Sequence, residues 1–223
     1  MLLKGTIRAR LQKTTGRGEG SMPVSLWAVR WTRPLTEEEA AALTDLLPSA
    51  RRERLSRLKS PEKRQEALCA YGLLLLALRR LKNWTDFPET ALNDGGKPFF
   101  PDCPDVQFSV SHTAGAALAA VSGQPVGADI EQIRPLRQAF MRKLMGVEDQ
   151  DVFFRSWVRR EARTKCTGAG IGSMLRAEPP MEAGEFYQEA DVFPGYQAGV
   201  AYRGSGPIKL ARLELEDLIG GLL

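Results

Sequence analysis

Cysteine and histidine are scarce in this chain of 223 residues, which contains three cysteines and one histidine. Cys69, Cys103 and Cys166 are odd in number, lie far apart and form no Cys-x-x-Cys pair. This pattern argues against a disulfide framework and against a zinc site, and it favours a reducing compartment. We therefore expect a cytoplasmic protein.

Long apolar runs are also missing from the chain. The longest, Leu73 to Leu78, ends at Arg79 and Arg80 and is far shorter than the ~20 residues that a membrane-spanning helix needs. No membrane partner is expected.

Residues 1–21 are rich in positive charge and contain no acid before Glu19. They lack the continuous apolar stretch of a secretory signal, and a glycine-rich segment joins them to Met22. We expect a basic leader here, loosely attached or disordered, with the folded part beginning near Met22.

Positive charge exceeds negative charge by only four, since 31 Lys and Arg face 27 Asp and Glu, so the field of the whole molecule is weak. The excess is local, because residues 51–64 hold seven basic side chains and two acidic ones. A solvated helix face explains this segment as well as an anion-binding surface does. Because no aromatic side chains are interleaved with it, no nucleic-acid partner is expected.

Helix and strand signals alternate along the chain. Thr36 begins a capping box with Glu39, and Ser60-Pro61 places an N-cap and a first-turn proline before a long amphipathic helix. A second helical region is expected from about 140 to 166, with an interruption near Gly146. Residues 106–111, 115–121, 126–130, 196–202 and 208–215 are predicted strands.

Helices followed by strands thus occur twice, and residues 114–120 weakly resemble residues 196–202. The first three strands are expected to form an antiparallel meander. We predict an α+β fold built as a pseudo-dimer of two similar halves with antiparallel sheets. The N-terminal half would cover residues 22–123 and the C-terminal half residues 124–223, with the active site at their interface.

Three carboxylates and a lysine stand at spacings that bring them together in pairs. Asp129 and Glu131 are two apart in a predicted strand, and Glu161 and Lys165 are four apart in a predicted helix, so each pair shares a face. Hard oxygen ligands beside a cation suit a Mg²⁺ that shares its sites with substrate phosphates. Taken separately, the pairs would be ordinary solvated acids on an edge strand and an ordinary helix ion pair. Together they predict phosphoryl-type transfer chemistry.

Four motifs in order resemble the Sfp-type 4'-phosphopantetheinyl transferases. They are Gly96-Lys97-Pro98, the Ser-His-Thr segment at 111–113, Gly127 to Glu131, and the stretch from Trp157 to Lys165. The similarity extends from about Met22 to the C-terminus. It implies a Mg²⁺-dependent enzyme that moves the phosphopantetheine arm of coenzyme A to a serine of an apo acyl or peptidyl carrier protein and releases adenosine 3',5'-bisphosphate.

The resemblance also implies roles for individual residues. Asp129, Glu131 and Glu161 would bind Mg²⁺, with Glu161 also serving as the base for the carrier serine. Lys165 would contact the pyrophosphate. The coenzyme would be bound by further residues, namely Lys97 at the nucleotide, His112 with Ser111 near the 3'-phosphate, and Arg57 and Arg64 from the basic segment. Glu66 is the alternative occupant of the phosphate-contacting position assigned to Arg64.

The sequence departs from the family pattern at several points. Arg160 stands where the family usually has lysine, Thr113 replaces a serine, Ala128 is smaller than usual, and the interval between Glu131 and Trp157 is short. That interval often helps to dock the carrier, so carrier choice stays open. The alternative function is a non-catalytic coenzyme A- or carrier-binding module with the same fold. A monomer is expected.

Overall fold

The computed structural model describes residues 22–169, 178, 180–204 and 207–223. The predicted basic leader at 1–21 lies outside these residues. Strands and helices follow one another in the described part in this order: β1 (Ser25–Arg30), α1 (Glu37–Asp45), α2 (Ser49–Ser56), α3 (Pro61–Lys82), β2 (Ala91–Leu92), β3 (Pro98–Phe99), β4 (Gln107–Thr113), β5 (Ala116–Ser122), β6 (Val126–Gln132), α4 (Gln138–Met145), α5 (Gln150–Thr167), β7 (Glu185–Glu189), β8 (Tyr196–Arg203), β9 (Lys209–Glu214) and α6 (Leu215–Leu222).

The helix ends follow the predicted capping signals. The Thr36 hydroxyl accepts a hydrogen bond from the Glu39 backbone N–H, and the Glu39 carboxylate accepts one from the Thr36 N–H. Ser60 caps α3 in the same way through the Lys63 N–H. Gly146 and Gly168 end α4 and α5 in the left-handed conformation.

The larger sheet has the strand order β4-β5-β1-β9. β4, β5 and β1 pair antiparallel, whereas β9 lies parallel to β1. The last strand and helix of the chain thus join the sheet built by the first strand, and α6 packs against α3.

The second sheet has the order β6-β8-β7 and is antiparallel throughout. The expected three-stranded meander is therefore wrong at its third member, because β6 pairs with β8 and not with β5. The turn through Pro125 moves the chain to the second sheet, where Val126, Ala128 and Ile130 pack against the first sheet. The two sheets remain joined by a hydrogen bond from the Ala128 N–H to Ser109 Oγ, at 3.0 Å.

Apolar side chains form two main cores. One lies between α3 and the larger sheet, and the other lies between the two sheets and is rich in alanine. The α+β class is confirmed, and the expected antiparallel pairing holds for every strand pair described except β1 with β9, which is parallel. Within the described residues, no helix is both long and apolar enough to cross a membrane.

Candidate active site

The site begins where β6 touches α5 at Gly127. A Cβ atom at Gly127 would lie 2.0 Å from the Ala162 carbonyl oxygen and 2.2 Å from the Cys166 nitrogen. Only glycine permits so close an approach of strand and helix backbones. The contact places Asp129, two residues along the strand, beside Lys165 of the helix.

Asp129 and Lys165 form the centre of the site. Asp129 Oδ1 accepts hydrogen bonds from Lys165 Nζ at 2.6 Å and from Ser111 Oγ at 2.7 Å. Lys165 Nζ also lies 3.3 Å from Glu161 Oε2 and 3.0 Å from Ser111 Oγ. The ammonium group thus stands between two carboxylates, one from the strand and one from the helix.

The electrostatics of the cluster favour additional positive charge. Burial and the charge of Asp129 raise the pKa of Glu161 to about 7, although Lys165 opposes the shift. Burial and Asp129 likewise raise the pKa of Glu131. For Lys165, the pKa is raised because Asp129 and Glu161 together outweigh the effect of burial. A cation or a proton near these carboxylates would relieve their repulsion.

The fit of a metal ion to these carboxylates can be judged from the described residues. Within them, no three His, Cys, Asp or Glu side chains are grouped closely enough to hold a metal. Asp129 Oδ2, however, is buried and finds no hydrogen-bond partner in the same part of the chain. A buried, unpaired carboxylate oxygen is costly and suits a ligand that the protein does not itself supply. Carboxylate oxygens are the donors that Mg²⁺ prefers, so the chemistry of these side chains fits that ion.

Glu131 lies at the margin of this cluster and not at its centre. Its Oε2 lies 3.5 Å from Thr113 Oγ1 and 3.3 Å from the guanidinium of Arg134. Thr113 therefore places a hydroxyl group against this carboxylate.

A cleft of about 690 Å³ opens beside the carboxylates. The expected residues Lys97, Ser111 and His112 line it with Asp129, Glu131, Glu161 and Lys165. Lys97 Nζ donates to the Val126 carbonyl oxygen at 2.9 Å, and burial lowers the pKa of the Lys97 ammonium. The cleft is large enough for a nucleotide-sized ligand.

His112 contacts Glu66 of α3, the residue that the sequence leaves as the alternative to Arg64 at the phosphate-contacting position. Its Nδ1 lies 3.0 Å from Glu66 Oε2, and both Glu66 oxygens accept from Lys63 Nζ at 2.8 and 2.9 Å. Burial lowers the pKa of His112, and Glu66 opposes that shift. The sequence motifs do not determine which residue of α3 faces the cleft at this point. In the structure, Glu66 is the α3 residue that contacts His112.

The basic segment divides between the cleft and the surface. Arg51, Arg54 and Lys63 line the large cleft. Arg57 lies on a smaller neighbouring pocket and pairs with Glu53, while Arg64 is exposed and donates to the Leu58 carbonyl oxygen. The structure therefore does not bring Arg57 and Arg64 together with the other expected residues.

Arg51 was missed as a separate candidate, because sequence shows only that the segment is basic. Its guanidinium is largely buried and lies 4.1 Å from the centre of the Tyr71 ring. The available signal was the spacing of four residues between Arg51 and Leu55, which puts both on the buried face of α2, whereas Arg52 and Arg54 between them are exposed.

Trp157 and Arg160, the remaining residues of the helix motif, have different surroundings. Trp157 stacks on Phe153 within a small apolar cluster between α4 and α5, as expected for packing. Arg160 Nε is buried without a hydrogen-bond partner among the described residues, and its nearest ion-pair contact is Glu178 at 4.0 Å.

Curated proteins of one kind align with most of this chain. The 4'-phosphopantetheinyl transferase Sfp of Bacillus subtilis (strain 168) is 22% identical over 88% of this chain and 100% of its own length. The 4'-phosphopantetheinyl transferase HetI of Nostoc sp. is 29% identical over 70% of this chain and 73% of its own. The 4'-phosphopantetheinyl transferase psf-1 of Bacillus pumilus is 30% identical over 48% and 58%, respectively. No family model matches the chain.

Proposed function

We propose that this chain, which aligns over most of its length with curated 4'-phosphopantetheinyl transferases, transfers the 4'-phosphopantetheine arm of coenzyme A to a serine of an apo carrier protein. The other product would be adenosine 3',5'-bisphosphate. The carrier would be an acyl or peptidyl carrier protein. A cytoplasmic monomer without nucleic-acid partners is part of the same proposal.

The observation that carries this proposal is the carboxylate–lysine cluster beside the cleft. Gly127 lets β6 and α5 touch, and Asp129, Glu161 and Lys165 consequently converge at one wall of a space of about 690 Å³. The other walls carry cationic side chains, among them Lys63, Lys97 and Arg54. A cluster of oxygen ligands next to a cation-lined cleft supports binding of a metal-bound pyrophosphate.

Asp129, Glu161 and Glu131 would hold Mg²⁺, with the unpaired Asp129 Oδ2 as its most evident ligand. When bound, the ion would neutralise charge on the pyrophosphate of coenzyme A. In the described structure the Lys165 ammonium is the group that compensates Asp129 and Glu161, at 2.6 and 3.3 Å.

The chain's own residues would handle the proton and the leaving group. The serine hydroxyl forms a bond to the β-phosphorus as the bond to the bridging oxygen breaks, and adenosine 3',5'-bisphosphate departs with that oxygen. Glu161 would take the hydroxyl proton, because its carboxylate lies on the wall of the cleft beside Lys165. Lys165 would hold the pyrophosphate oxygens in line for displacement.

The nucleotide would lie along the cationic part of the cleft. Lys97 would contact the nucleotide, and His112 with Ser111 would meet the 3'-phosphate. Arg51, Arg54 and Lys63 line the same space, so we add them to Arg57 and Arg64 as candidates for contact with the coenzyme.

One observation favours the alternative, a binding module without turnover. Lys165 already bridges Asp129 and Glu161, which are two of the expected metal ligands. In such a module coenzyme A would bind and the carrier would stay unmodified.

The test is mass spectrometry of an apo carrier protein incubated with the full chain, coenzyme A and Mg²⁺. A gain of one phosphopantetheine mass, absent without metal, is expected. An unmodified carrier across several carrier types, combined with calorimetric binding of coenzyme A, would support the binding module and refute the transferase.

A further inference from the structure

Glu66 is a buried carboxylate in the second turn of α3, with its side chain only 5% exposed. Burying a carboxylate costs free energy unless cations or hydrogen-bond donors compensate it. Both of its partners, Lys63 and His112, line the large cleft. The two partners come from different elements, α3 and β4, so Glu66 links these elements at the edge of the cleft.

The contact to His112 fixes which ring nitrogen a ligand can meet. Glu66 Oε2 is an acceptor, so Nδ1 of His112 carries the hydrogen and donates across 3.0 Å. A group in the cleft then meets Nε2, which accepts a hydrogen bond when the ring is neutral and donates one to an anion when the ring is protonated. The charged groups that act on the ring are Glu66, which favours its protonated form, and Lys63 and Lys165, which oppose it.

The contact with Lys63 holds the ammonium group of that side chain in place. Lys63 Nζ donates to both Glu66 oxygens although its side chain is 59% exposed, so the carboxylate restrains a long and otherwise mobile side chain at the edge of the cleft. The pair also neutralises Glu66, which would otherwise repel an anion.

We propose that Glu66 is a positioning residue that holds His112 and Lys63 at the cleft for recognition of an anionic group of the bound nucleotide. This inference rests on the proposed function, which supplies the nucleotide. Glu66 itself touches no reacting atom and acts only through its two partners.

The test is calorimetric titration of coenzyme A into the full chain carrying Glu66→Ala or the nearly isosteric Glu66→Gln. We expect about tenfold weaker binding for Glu66→Ala and a smaller loss for Glu66→Gln, whose amide oxygen can still accept from His112. The exposed Glu62→Gln, one turn earlier in α3, is the matched control and should bind as the wild type does. With 3'-dephospho-coenzyme A the difference between wild type and Glu66→Ala should disappear.

Coupling to His112 separates positioning from a merely structural role. In a His112→Ala background, Glu66→Ala should weaken binding by clearly less than it does alone. Unchanged affinity in folded Glu66 variants, or full additivity with His112→Ala, would overturn the inference; Glu66→Gln carries the test if Glu66→Ala does not fold. Failure of the wild type to bind coenzyme A would instead refute the proposed function, and the inference would fall with it.

Discussion

Asp129 Oδ1 and Lys165 Nζ lie 2.6 Å apart across the contact between β6 and α5. The aspartate is almost fully buried and the lysine partly so, with side-chain exposures of 2% and 30%. The pair therefore depends on the close backbone contact at Gly127, which a single methyl group would prevent, so the candidate site depends on this part of the fold.

Gly127→Ala is expected to damage both fold and site. Its Cβ would overlap backbone atoms of α5, which cannot move aside as a side chain tip can. We expect destabilisation of about 1–3 kcal/mol or more and loss of most transfer activity. Thermal unfolding measures the first effect. Gly220→Ala, where a Cβ meets nothing within 4 Å, is the control, and equal stability losses in the two variants would contradict the close contact.

Lys165→Met is expected to leave Asp129 without its cationic partner. Removing one member of a buried pair costs about 3–5 kcal/mol, which partial exposure of the lysine reduces to about 2–3 kcal/mol. Urea unfolding measures this loss. Arg159→Met, also in α5, removes a more exposed ion pair with Glu178 and should cost no more than about 1 kcal/mol. Similar losses of stability in the two variants would show that the Asp129–Lys165 pair stabilises the protein no more than an exposed ion pair does.

The raised pKa of Glu161 predicts a pH dependence of stability in protein free of metal and coenzyme. Its folded pKa of about 7 exceeds the ordinary value of 4.5, so the folded state holds the proton more tightly than the unfolded state. The stabilisation is complete below about pH 4.5 and is lost as pH rises through 7. Glu161→Gln, which cannot ionise, should therefore gain stability relative to wild type between pH 5 and 8, by up to about 2–3 kcal/mol. A constant difference across this range would contradict the shift.

Metal removal is expected to abolish transfer. Chelation should stop modification of the carrier, and added Mg²⁺ should restore it, because the pyrophosphate charge would otherwise stay uncompensated. Asp129→Asn should raise the Mg²⁺ concentration needed for half-maximal rate more than Glu131→Gln does, since Glu131 is already paired with Arg134. Equal rates with and without chelator would refute the metal proposal.

Local sequence signals predicted much of the framework. The caps at Thr36 and Ser60 and the strand that carries Asp129 follow from short-range rules, and they appear in the structure. The face-sharing of Glu161 and Lys165 follows from helix periodicity alone.

Long-range pairing could not be predicted in the same way. β9 pairs in parallel with β1, although nearly the whole described sequence separates the two strands. β6 pairs with β8 and not with β5, which precedes it in the sequence. Strand sequences rich in alanine and valine do not specify partners, because many registers bury them equally well. The role of Glu66 was hidden for a related reason, since its partner His112 lies 46 residues away on another element.

The central claim is that the Asp129–Glu161–Lys165 cluster performs the transfer. The most direct measurement is the rate of phosphopantetheine gain on an apo carrier, by mass spectrometry, for wild type and Glu161→Gln, with the exposed Glu189→Gln as control. We predict that Glu161→Gln loses at least about 10²-fold in rate while remaining folded, and that Glu189→Gln matches the wild type. Normal turnover by Glu161→Gln would contradict the claim.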